Sequence, residues 1–115
     1  MVRVCVCLAA FAAWAENTPN VAPVQRVTFT TVMRVGETLL PKGVYEVRHV
    51  MEGEKHIMVF HSLTQKKVAD VRIQCTLEPL AQKASETQTI YTLNAAKEPV
   101  LQQLIFRGES RKHVF

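Results

Sequence analysis

The chain has 115 residues, 48% of them hydrophobic, enough for one domain with a single core and too apolar for a disordered chain. Its 14 lysines and arginines against 10 acidic residues give a formal net charge of +4. These basic residues stand singly or in pairs such as Lys66-Lys67 and Arg111-Lys112, without interleaved aromatics, and that argues against a nucleic-acid partner.

Residues 1–15 differ from the rest. Arg3 precedes an uncharged apolar run, Val4 to Ala13, that ends in Ala13-Trp14-Ala15, the charged, apolar and small-x-small parts of a secretory signal peptide. The run is shorter than the roughly 20 residues a membrane-crossing helix needs, so no permanent membrane span is expected. The expectation is export to the periplasm or the extracellular space with cleavage after Ala15. Of Cys5, Cys7 and Cys75, only Cys75 would then remain, so no internal disulfide could brace the fold. A cysteine in an apolar alternating stretch reads as a small buried hydrophobe. Residues 16–23, polar and broken by Pro19 and Pro23, read as an extended arm, and residues 24–115 as a single β domain.

Val27, Phe29, Thr31, Met33 and Val35 alternate with Arg26, Thr28, Thr30, Val32 and Arg34, the period of two expected of a strand with one buried face. Gly36 ends that strand, and Leu40-Pro41-Lys42-Gly43 has turn chemistry. Val44 to Met51 and His56 to His61 flank Glu52-Gly53-Glu54-Lys55 and predict a β-hairpin. Val68 to Leu77 alternates again, with Ala69, Val71, Ile73, Cys75 and Leu77 on one face. A loop with one helical turn around Leu80 to Lys83 is expected next. Strands over Thr87 to Leu93, Val100 to Arg107 and Lys112 to Phe115 complete the chain. Six or seven short strands with polar turns predict an all-β domain, an antiparallel β-sandwich or small β-barrel.

The run Gly36 to Val47 resembles a motif, G-x-x-L-P-x-G-x-Y-x-V/F, of small exported β-proteins of soil bacteria of the acidobacterial type. Its sharp part is Leu40-Pro41-Lys42-Gly43-Val44-Tyr45. The resemblance extends loosely from Val27 to Phe115 and implies export and a compact β fold. It implies no activity, cofactor or catalytic residue.

No nucleophile is paired with a base. Ser62, Ser85 and Ser110 lie in loops without a Gly-x-Ser-x-Gly elbow, and there is no phosphate-binding glycine loop or Cys-x-x-Cys pair. A non-enzyme is therefore expected. The hairpin carries one constellation of chemical interest. If Met51 pairs with His56, His49 faces Met58, and alternation puts all four side chains on one face. Two imidazoles and two thioethers form a donor set suited to Cu(I), against which stands the plainer reading of two sheet-filling methionines and two surface histidines. His61 and His113 have no evident partners. The expected function is that of an exported structural or interaction module, joining another copy or another exported protein by strand addition at a sheet edge. The alternative is a periplasmic ligand or copper carrier built on His49, Met51, His56 and Met58, with no other cofactor.

Overall fold

The structure, a computed structural model, describes residues 23–115, so the expected signal segment and all but Pro23 of the arm lie outside the described residues. Nine strands follow in order: β1 (Val24–Phe29), β2 (Met33–Val35), β3 (Thr38–Leu40), β4 (Gly43–Glu52), β5 (Lys55–Ser62), β6 (Val71–Pro79), β7 (Gln88–Leu93), β8 (Pro99–Ile105) and β9 (Arg111–Val114). The all-β class is as expected. There is no helical turn at Leu80 to Lys83, and no described helix is long and apolar enough to cross a membrane.

Two departures raise the strand number above six or seven. The expected strand through Val35 breaks at Thr30 and Thr31, and Thr38–Leu40 folds back on Met33–Val35 as a separate hairpin. Gly36, at φ 63°, supplies the left-handed turn residue between them. Alternation alone could not reveal the break, because Val27, Phe29, Met33 and Val35 are all buried; only Thr31, expected on that face, is exposed.

The strands lie in the order β1-β4-β5-β6-β9-β8-β2-β3, with β7 on β8 off this path. All pairings are antiparallel except β2 with β8, which is parallel at Arg34↔Val100 and corrects the expectation of a wholly antiparallel sheet. Arg34 secures that junction by donating from Nε and Nη2 to Glu98 Oε1 at 3.1 and 2.9 Å. The sheet is open, not a closed barrel, but it curls strongly. At about 4.8 Å per strand a flat sheet would hold β1 and β9 roughly 19 Å apart. Instead Gln25 of β1 donates from Nε2 to Glu109 Oε2, in the turn before β9, at 3.0 Å. The curl lets Phe29, Val35, Leu40, Tyr45, Phe60, Leu104 and Phe106, from six strands and one turn, share one core.

The Leu-Pro-x-Gly-x-Tyr turn has a structural cause. Tyr45, 1% exposed, donates its hydroxyl to the Pro41 carbonyl at 2.6 Å, closing the turn from inside. Gly43, paired with Phe29, sits at φ 149°, and a Cβ there would run into Thr64 Oγ1. Gly43→Ala is therefore expected to destabilise the fold by about 1–3 kcal/mol, through both backbone strain and the clash. Thr64→Ala in the same chain should recover only the clash part. Urea denaturation checks this, and an unchanged midpoint for Gly43→Ala would refute the account of the turn.

Candidate metal centre

The β4–β5 hairpin adopts the register read from its sequence: Met51 pairs with His56 and His49 with Met58. All four side chains share one face of the ribbon. The structure nevertheless sorts them differently from the expected donor set. His49 and Met58 are buried at 3% and 1% exposure, whereas Met51 and His56 are half-buried. His49 Nε2 and His56 Nδ1 share a hydrogen bond of 3.0 Å, their rings stacked with centroids 5.0 Å apart.

The closest gathering of donors lies one step deeper and draws in two residues that had been given no chemical role. His49 of β4, Cys75 of β6 and His113 of β9 each present a donor atom within 4.8 Å of the other two, and all three are buried. Cys75 is opposite His56 across the β5–β6 ladder, and His113 is opposite Leu77 on the far side of β6. Alternation turns Cys75 and Leu77 to the same face, so His113 and His56 stand on the strands to either side of the cysteine. The curl of the sheet then carries His49 across, its ring centroid 5.7 Å from that of His113.

His113 is held by both ring nitrogens. Nδ1 faces Cys75 Sγ at 4.0 Å, and Nε2 meets Glu109 Oε1 at 3.0 Å. Glu109 is itself buried at 4% exposure and accepts from Gln25 through its other oxygen. A carboxylate on the outer nitrogen of a histidine fixes the tautomer, leaves the inner nitrogen bare and raises its basicity, which is the usual support of a metal-binding imidazole.

Burial sets the protonation states. Removal from water, with His113 and His56 alongside, pushes His49 down to about 4, although Glu109 acts against the shift. His56 is lowered too, by burial first and then by Arg111 and His113. Burial pushes the Cys75 thiol up to about 11. At neutral pH the cluster therefore offers a neutral His49 imidazole and a protonated thiol. A thiol of that kind is a poor nucleophile, but an ion of sufficient affinity can deprotonate it.

The sequence reading placed Cys75 among the core hydrophobes and found no partner for His113. Cys75 is indeed part of the core cluster. Its inward parity was visible in the alternation of Val68 to Leu77. The pairing of β6 with β9, which brings in a residue 38 positions away, was not. Comparison with known protein families, with curated proteins and with solved structures gave no match.

The low pKa of His49 predicts an acid-sensitive fold. The unfolded chain takes up a proton near the ordinary value of 6.5, the folded one only near 4. Between these values the unfolded state binds more protons, so this contribution is complete above pH 6.5 and is lost as pH falls towards 4, about 3 kcal/mol in all. His49→Phe should flatten the stability profile across that window. Urea titrations at several pH values check it, and an unchanged slope in the variant would show that His49 is not the responsible group.

Proposed function

We propose that this chain is a non-catalytic, exported β-module that holds a single soft or borderline transition-metal ion within its curled, barrel-like sheet. One observation carries the reading: the convergence of His49, Cys75 and His113 within 4.8 Å, with His113 braced by buried Glu109. Two imidazoles and a thiolate suit zinc or copper and are poorly matched to magnesium or calcium, which take oxygen donors. Metal bonds of about 2.0–2.3 Å would draw the donors together from their present separation by small side-chain rotations. Arg3, the apolar run after it and Ala13-Trp14-Ala15 support export.

A thiol, an imidazole and a carboxylate in sequence also resemble a nucleophile, a base and its orienting group. Burial of Cys75 at 4% exposure and the rise of its pKa to about 11 both weigh against that use, since substrate would have no approach and the thiolate would be scarce. The donor function suffers neither objection.

A second reading, association with another copy or another exported protein by strand addition, has support at β7. This strand lies off the main path and exposes Ile90, Tyr91 and Leu93 at 36%, 48% and 61%. β8 is paired with three strands, which leaves β1, β3 and β7, each with a single neighbour, as the edges.

Titration of the purified chain with Cu(I) and with Zn(II) under reducing conditions tests the metal reading. One ion should bind per chain, with release of the thiol proton. Cys75→Ser should abolish tight binding, and Glu109→Gln should weaken it by about 10–100-fold while leaving circular dichroism unchanged. Equal affinity in wild type and Cys75→Ser would overturn it.

A further inference from the structure

We propose that the ion is copper and that the centre is a one-electron site, with His49, Cys75 and His113 as a trigonal donor set and Met58 as a weak fourth donor. This rests on the metal-binding reading and narrows it.

The number and burial of the strong donors favour copper. A structural zinc site closes with four of them, and a catalytic one with three keeps its fourth position open to water. Here the three mutually close residues are 3%, 4% and 1% exposed, so a fourth position would face protein rather than solvent. The residue directly opposite His49 is Met58, 1% exposed and packed in the same core cluster as Cys75. A thioether is a poor partner for Zn(II) and a good one for copper. Two histidines, a cysteine and a distant methionine form the arrangement in which copper cycles between its two oxidation states.

Rigidity and charge favour the same ion. The donors come from β4, β6 and β9, with Met58 on β5 between them, so the backbone holds each one in a ladder and little rearrangement accompanies a change of oxidation state. Cu(I) with a thiolate is neutral, whereas Cu(II) with a thiolate carries one positive charge into a buried site. The Glu109 carboxylate, one hydrogen bond behind His113, lies where it offsets that charge.

The site also has a route for the electron. Half-buried His56 stacks on and hydrogen-bonds to buried His49, which makes it the link between the centre and the surface. Reduction takes one electron from a one-electron donor, a small reductant or a redox protein, through His56 to Cu(II), giving Cu(I). The Cys75–copper bond persists in both states. No proton moves at that step, because the thiol proton leaves when the ion loads.

The test uses the full domain, loaded with Cu(I) without oxygen and then oxidised with ferricyanide. An intense visible thiolate-to-Cu(II) charge-transfer band should appear, bleach with ascorbate and return with fresh oxidant. Cys75→Ser should lose the band. Met58→Leu should keep it and raise the midpoint potential, and His56→Ala should keep it while slowing ascorbate reduction several-fold. A bound Cu(II) without that band, oxidation of Cys75 in place of a reversible cycle, or binding of zinc alone would overturn the proposal and leave the metal-binding reading intact. Failure to bind either ion would overturn both.

Discussion

Strand β6 changes partners part-way along its length, pairing through Val71 to Cys75 with β5 and through Thr76 to Pro79 with β9. A strand that serves two neighbours on different stretches forces the sheet to bend where the ladders exchange. Cys75 sits at that handover. The bend turns the inner faces of β4 and β9 towards each other, allows β1 to reach the Glu109 turn, and collects the aromatic and aliphatic side chains of distant strands in one core. Without it His49 and His113 would lie on a broad face, three strand spacings apart.

Burial in this region has opposite consequences for neighbouring groups. Phe29, Phe60 and Phe106 stabilise the fold by leaving water, whereas His49 leaves water at the expense of its charged form. The cost is contained because the polar atoms find one another: His49 with His56, His113 with Glu109, Glu109 with Gln25. These contacts link β1, β4, β5, β9 and the turn before β9, so they tie the β1 edge of the sheet to the middle of its strand order. A hydrophobic replacement of similar shape would fill the space but would not tie β1 to that turn.

Much of the local structure was legible in the sequence. The Glu52 to Lys55 connection fixed the β4–β5 register, and from it the shared face of His49, Met51, His56 and Met58. Proline and glycine marked the turn that Tyr45 closes. Features set by distant pairing were hidden. Thr38–Leu40 is too short to carry a pattern, and the parallel contact of Arg34 with Val100 depends on a partner 66 residues on. The same holds for the candidate centre. His49 could be placed from its own hairpin, but Cys75 looked like core, and His113 acquires a role only through the neighbour that β9 chooses.

The spacing of these donors along the chain has a bearing on when an ion can enter. His49, Cys75 and His113 belong to three strands separated by 26 and 38 residues, and the last of them docks through the non-local β6–β9 ladder. A partly folded chain with only its central hairpin formed has the methionines and two imidazoles but neither the thiol nor the braced His113. On the metal-binding function proposed above, tight capture would follow the slowest kind of contact, and the ion would report completed topology rather than nucleate it. On the same proposal, a chain kept unfolded during export would pass through the cell without competing for metal and acquire its affinity only at its destination.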